Sequence, residues 1–338
     1  MSRALIVHRA GPTTSVQDGG RPGFLAQGLS RGGAADRLAL AEGAALLGQG
    51  AALAAIEMAG TGGVFEATED VRIALTGAPM RATLGGAPLV WGASHRLRAG
   101  QPLEIGPAVA GVYGYLHVGG GIAVPPILGA RGAHLAAGIG VVAGAGDRLP
   151  AGPDPGGEAG LALPAADRFA GGTIRAVRGP QTAMFPADAL ARFEATRFAR
   201  DARGNRMGVR LIPDGEGFHS RAGLSVLSEI VVPGDIQVSG DGAPMVLLCE
   251  CQTTGGYPRI GTVLPCDLPR VAQAPPGAAL TIRFVGRAEA LDAERAAAAA
   301  LRALPKRLTP LVRDPRDIRD LLAYQLISGV TAGETEGD

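Results

Sequence analysis

Lysine is nearly absent from this chain. Of its 32 basic residues, Lys306 is the only lysine and the rest are arginines. A P-loop needs a Gly-Lys-Ser/Thr step whose ammonium reaches phosphates, and no such step exists. The lysine of a biotin attachment turn is missing, as is a buried lysine for Schiff-base chemistry. Cysteine is scarce as well. Three cysteines in 338 residues make no disulfide framework, which points to a reducing, cytoplasmic setting. Cys249 and Cys251 are expected to share one face of a strand over 245–251. Together with Cys266 they find no histidine at ligand spacing, so no metal site is expected. Aromatics are 4% and the net charge is +1. Without a basic stripe interleaved with aromatics, nucleic acid is excluded as a partner. Long apolar runs are lacking too. Residues 108–126 are apolar but broken by glycines and two prolines, and the N-terminus turns charged at Arg3 and Arg9, so neither a membrane span nor a signal segment is expected. A Gly-x-Ser-x-Gly elbow is missing, and Gly119-Gly120-Gly121 reads as a turn and not as a dinucleotide fingerprint.

What the chain does have is glycine (53) and proline (25) spread among short Val/Leu/Ile runs. That pattern predicts a mainly β fold with a few helices. Strands are expected at 3–8, 53–58, 63–67, 71–76, 81–84, 89–91, 95–97, 114–118 and 147–149. A second series is expected at 173–178, 208–211, 228–232, 236–238, 245–251, 261–264 and 280–285. Helices are expected at 34–47, with Leu38, Ala41, Ala45 and Leu46 on one side, and at 187–194 and 288–303. The Pro/Gly-rich stretch 150–172 is the best linker. The apolar run 321–330 is either a helix that docks on the barrel, the reading favoured here, or a partner contact.

Four polar loops compete for function. The segment Gln252-Thr253-Thr254-Gly255-Gly256-Tyr257-Pro258-Arg259 carries far more polar chemistry than a turn between strands needs. Its glycines permit close backbone approach to a ligand. Gln17, Asp18 and Arg21, within the long loop 11–33, either bind a polar planar group or satisfy one another by a salt bridge. Gly179-Pro180-Gln181 is the third loop. In the fourth, Gly204-Asn205-Arg206-Met207-Gly208, Arg206 binds a phosphate or carboxylate through its fork or else satisfies loop carbonyls. Gln237 and Asp241 stand just upstream of the first.

Taken in order, these loops resemble the C-type subunit of the bacterial ATP-dependent 5-oxoprolinase. The same domain forms the second half of the carboxyltransferase region of urea amidolyase, and it occurs in an antagonist of a sporulation kinase inhibitor. The matching motifs are Gly11-x-Thr13-Thr14-x-Val16-Gln17-Asp18-x-Gly20-Arg21-x-Gly23, Gly179-Pro180-Gln181, Asn205-Arg206-Met207-Gly208, Gly234-x-Ile236-Gln237-Val238 and the segment 252–260. The family usually has Asp-Arg before Gln-Thr-Thr, where Glu250-Cys251 stand here, and Ser-Asp before Arg-Met-Gly, where Gly204-Asn205 stand here.

The resemblance implies two cyclophilin-like β-barrel subdomains, over 1–165 and 166–286, with a C-terminal helical extension over 287–338. It implies a B-type partner of related fold and an A-type partner. It also implies ATP-driven opening of 5-oxo-L-proline to L-glutamate, with ATP acting at the level of the complex. Arg206, Asp18 and Tyr257 are the implied catalytic residues. Gln17, Arg21, Gln181, Asn205, Gln237, Gln252, Thr253, Thr254, Gly255, Gly256 and Arg259 are the implied substrate-binding set. The alternatives are a biotin-dependent carboxyltransferase component acting on carboxybiotin carried by another protein, or a regulator that binds a B-like partner.

Overall fold

A computed structural model describes residues 3–221 and 226–312; the apolar run 321–330 lies outside them. The first part of the chain folds into two sheets around one core. A six-stranded sheet runs in the order Arg148–Pro150, Ala4–Ala10, Gly63–Ala67, Pro102–Ala108, Met80–Leu84, Ala87–Pro88. The facing seven-stranded sheet begins Ser15–Gln17, Ala55–Ala59, Tyr113–Val118, Val71–Gly77, Ala93–Leu97. Alternate residues such as Leu5, Val7, Phe65, Ile56, Ile73 and Leu116 meet between the sheets.

Tyr113–Val118 and Val71–Gly77 are buried at every position, because their outer face is covered as well. The cover is the helix Arg37–Leu47. Asp36 caps it, accepting from the N–H groups of Leu38 and Ala39, and Gly48 closes it in the left-handed conformation. Its buried side is Ala39, Leu40, Gly43, Ala44, Leu46 and Leu47. The expected side was rotated from this one, because Gly43 supplies the closest approach: a Cβ there would lie 2.3 Å from the His117 ring.

The second part closes into a seven-stranded barrel: Gly172–Val177, Arg259–Val263, Asp235–Val238, Pro244–Leu247, Gly208–Pro213, Phe198–Arg200, Ala279–Phe284. Closure comes from the parallel pairing of Gly172–Val177 with Ala279–Phe284. Phe193, from the helix Ala187–Ala195, packs in the barrel core with Phe198 and Phe218 at ring-centroid distances of 5.2 Å. After the helix Arg287–Ala303, Thr309–Pro310 pairs with Leu161–Ala162, so the end of the described chain completes the seven-stranded sheet.

The mainly β reading holds, with specific differences. Residues 89–91 form no strand; the Trp91 indole N–H instead donates to the Gly77 carbonyl at 3.1 Å. The strand Pro102–Ala108 escaped sequence reading because Pro102, Gly106 and Pro107 look like turn residues. The strand expected over 245–251 stops at Leu247. Cys249 and Cys251 therefore sit in the turn that follows and do not share a strand face. Burial raises both thiols to about 12, so they are poor nucleophiles.

Candidate functional site

The loop 11–33 folds onto the segment 127–137. Asp18 accepts from the backbone N–H groups of Gly20 (2.8 Å) and Arg131 (2.6 Å). Arg21, 1% exposed, donates to the carbonyls of Gly132 and Ile127. The mutual salt bridge is not formed: Asp18 and Arg21 do not bridge each other, and each is bound by backbone. Arg21 Nη1 and Gln17 Oε1 are buried without a hydrogen-bond partner. His134 accepts from the Ala137 N–H through Nδ1 (3.2 Å), so its Nε2–H donates to Ser30 Oγ (2.9 Å). Burial lowers its pKa, and the ring is neutral.

Where this loop meets the barrel, charges are knotted together. Arg206 donates through Nε to Glu250 (2.7 Å), through Nη1 to Glu57 and through Nη2 to the Gly33 carbonyl (2.5 Å). Arg206, Glu57 and Glu250 are all at most 5% exposed. Glu57 also accepts from the Tyr115 hydroxyl (2.6 Å) and the Ala35 N–H (2.9 Å). Glu250 takes the Leu135 and Ala136 N–H groups, each at 3.0 Å, capping the short turn Leu135–Ala137. Burial pushes the Glu250 carboxyl up, but Arg206 and the two N–H groups hold it below the usual range. A second knot lies alongside. Asp36 accepts from Arg168 (2.7 Å) and Gln273 (2.8 Å), and Arg168 forks onto Glu42 with two 2.8 Å bonds. Gln273 completes its amide against the backbone of Val112 and Tyr113.

Between the two parts opens a cleft of about 530 Å3. One wall carries Thr13, Ala59, Val112 and Tyr113; the other carries Arg200, Asn205, Arg206 and Met207, with Glu250 at the join. Thr13 holds a φ of 58°, a backbone conformation a β-branched residue rarely takes. Arg206 and Glu250 are engaged with each other, and Arg206 also with Glu57, so neither presents an unpaired charge to the cleft.

The segment 252–259 lies elsewhere on the barrel. Thr254–Gly255 pairs with Glu229–Ile230 as a two-stranded ribbon. The ribbon covers the outward-facing Asp235 and Gln237, both 3% exposed. Gln252 Nε2 donates to Gln237 Oε1 at 3.0 Å, while Gln237 Nε2 is left without a partner. A Cβ at Gly255 would stand 2.3 Å from that nitrogen, so the glycine admits a side chain of its own chain. Arg259 is shared among Glu229, Asp235 (3.2 Å) and the Ile230 carbonyl (2.9 Å). Gln181 bridges the Arg259 N–H and Glu229, each at 2.9 Å. Thr253 passes its carbonyl to Val231, and Tyr257, beside Gly256, is half-exposed.

Residues 27–285 match the carboxyltransferase domain, subdomains A and B. This chain belongs to the carboxyltransferase domain family. It is 36% identical over 295 residues to the C-type subunit of 5-oxoprolinase from Escherichia coli, covering 86% of this chain and 94% of that protein. It is 33% identical to the protein of the same name from Haemophilus influenzae, covering 83% and 91%. The solved urea amidolyase of K. lactis superposes with a TM-score of 0.81 at 23% identity, over 92% of this chain and 21% of that one, which shows a shared fold.

In this carboxyltransferase domain the expected site divides in three. Asn205 and Arg206 line the cleft; Gln181, Gln237, Gln252, Thr254 and Arg259 gather at the ribbon; Gln17, Asp18 and Arg21 brace the loop behind Arg206. Sequence reading missed Glu57, Tyr113 and Arg200. Glu57 and Tyr113 lie inside apolar strands, and Arg200 ends a strand of three residues, Phe198–Arg200, too short to show a period. Among the described residues no group of three or more His, Cys, Asp or Glu is placed to hold a metal, and no helix is long and apolar enough to cross a membrane.

Proposed function

We propose that this chain is the C-type subunit of a multi-subunit 5-oxoprolinase, a hydrolase of the cyclic amide 5-oxo-L-proline that yields L-glutamate with ATP hydrolysis. The observation that carries this reading is the match to the Escherichia coli 5-oxoprolinase component along 94% of that relative's length. The lactam carbonyl is a poor electrophile, and phosphorylating its oxygen would make it open to water. A triphosphate needs several N–H donors or cations converging at one place. The cleft offers one uncompensated guanidinium, Arg200, and the loop Arg259 is already held by two carboxylates. These residues do not fit ATP, so we place ATP on an A- or B-type partner and route no step through it here. The contribution of this chain is to bind and orient the small substrate in the cleft.

The test is ATP-dependent glutamate release from 5-oxo-L-proline by the co-purified subunits. No release from an assembled complex would sink the reading. The second reading, a carboxyltransferase component for a urea-like acceptor, draws on the urea amidolyase fold. On this chain Lys306 is the only lysine, so biotin would be carried by another protein. Decarboxylation of carboxybiotin dependent on an amide acceptor, without glutamate release, would favour it.

A further inference from the structure

Arg200 is a buried cation without an anion. It is 4% exposed and lines the cleft. Its Nε has no hydrogen-bond partner, and its Nη2 makes only a long 3.4 Å contact to the Gly204 carbonyl. The carboxylate next to it, Asp201, is taken by Arg203 (2.8 Å) and Arg210 (3.1 Å). Among the described residues no carboxylate stands within ion-pair distance of Arg200. The other two charged groups on the cleft walls, Arg206 and Glu250, are spent on each other and on Glu57. The backbone makes room for this guanidinium: a Cβ at position 204 would lie 2.6 Å from Nη2 and 2.9 Å from Cζ. Asn205 lines the same cleft and adds no charge to it; its Oδ1 accepts from the Met207 N–H at 2.8 Å.

A guanidinium fork left unpaired in a largely apolar cleft is the complement of a carboxylate, which it binds through two parallel N–H bonds. We propose that the cleft is a binding site for a small organic carboxylate, anchored by Arg200. The rest of the wall suits the body of such a molecule. Ala59, Val112, Met207 and Pro276 give apolar contact, and Tyr113 and Thr13 bring hydroxyls. Burial, reinforced by the nearby Glu57 charge, raises the Tyr113 pKa, so its phenol is a donor at neutral pH. A volume of about 530 Å3 sits in the range of small-molecule pockets. 5-Oxo-L-proline, the substrate under the reading above, carries such a carboxylate, so the site deepens that reading and rests on it for the choice of probe.

The test is calorimetric titration of the full chain, alone and in the co-purified complex, with 5-oxo-L-proline and with its neutral carboxamide. The acid is expected to bind at least ten-fold more tightly than the amide. Arg200→Gln should erase that preference and Arg200→Lys keep part of it. Asn205→Asp, which places a carboxylate on the same wall at nearly constant shape, should weaken the acid about ten-fold. Equal binding of acid and amide by the unaltered chain, or no binding of either at millimolar concentration, overturns the proposal without relying on any variant. Turnover separates the two claims. Acid binding that depends on Arg200, without glutamate release, keeps the site and removes the 5-oxoprolinase reading. Glutamate release with unchanged KM and kcat in Arg200→Gln does the reverse.

Discussion

Arg200 and Arg206 stand on the same wall of one cleft, 4% and 5% exposed, and they are treated in opposite ways. Arg206 meets two carboxylates and a carbonyl, which between them engage all three guanidinium nitrogens. Arg200 meets one distant carbonyl. Burying a charge is costly unless it is paired, so a protein that keeps one such arginine paired and the next unpaired uses them for different ends. The paired one ties the loop 11–33, the strand Ala55–Ala59 and the barrel together. The unpaired one is held for something not in the chain.

Arg206→Met tests the paired side hardest. Removing the cation leaves Glu57 and Glu250 buried without compensation, which is expected to cost about 3–5 kcal/mol in chemical unfolding. Adding Glu57→Gln and Glu250→Gln to that variant should restore much of the loss, because the stranded charges go with it. A loss below about 1 kcal/mol for Arg206→Met alone would show that the knot does not hold the halves together.

The sequence singled out Arg206 and offered it a phosphate or carboxylate ligand or the carbonyls of its own loop; in the fold it meets Glu57, Glu250 and the Gly33 carbonyl. Loop motifs are legible because glycine, proline and polar clusters mark them locally. Partners 149 residues apart, such as Glu57 and Arg206, are set by how the sheet pair docks on the barrel, and no local pattern encodes that. Strands were readable where an uninterrupted alternation met the core, as at Gly63–Ala67, which alternates between buried and half-buried residues. They were misread where prolines sat inside the sheet, as at Pro102–Ala108. The helix Arg37–Leu47 was found, but its buried side was not, because a glycine chosen for contact carries no hydrophobic signal.

A third buried group, His117, is settled in yet another way: it stays neutral. Thr76 spends its proton on the Ala39 carbonyl (2.9 Å), so His117 Nε2–H donates to the Thr76 hydroxyl (2.8 Å). Gly43→Ala would drive a Cβ into this ring, 2.3 Å from its atoms, against a helix and a sheet that cannot both yield. The expected loss is about 1–3 kcal/mol, read by thermal or urea unfolding. An unchanged midpoint would mean the helix simply shifts outward.

Burial lowers the His117 pKa to about 3, whereas the unfolded chain titrates near the ordinary value of about 6.5. Above that ordinary value neither state holds the proton and the group contributes no pH dependence. As pH falls from there towards 3, the unfolded state gains a proton the folded state refuses. Stability then drops by about 1.4 kcal/mol per pH unit from this one residue. His117→Asn should flatten the slope of stability against pH across that window by about one proton, and an unchanged slope would mean the ring is protonated in the fold.

The smallest expected effect decides the most about the comparison. Arg200→Met replaces an unpaired guanidinium by an apolar chain of similar length that can lie along Ala202 and Pro276 in the cleft. Nothing is stranded by the change, because no carboxylate depends on Arg200, and a desolvated charge is removed. Stability should therefore stay within about 1 kcal/mol of the parent or rise, while preference for the acid over the amide disappears. Such a residue costs stability where it stands and is kept for what it binds. A loss as large as that of Arg206→Met would instead make Arg200 a second structural cation, and the difference between the two arginines would vanish.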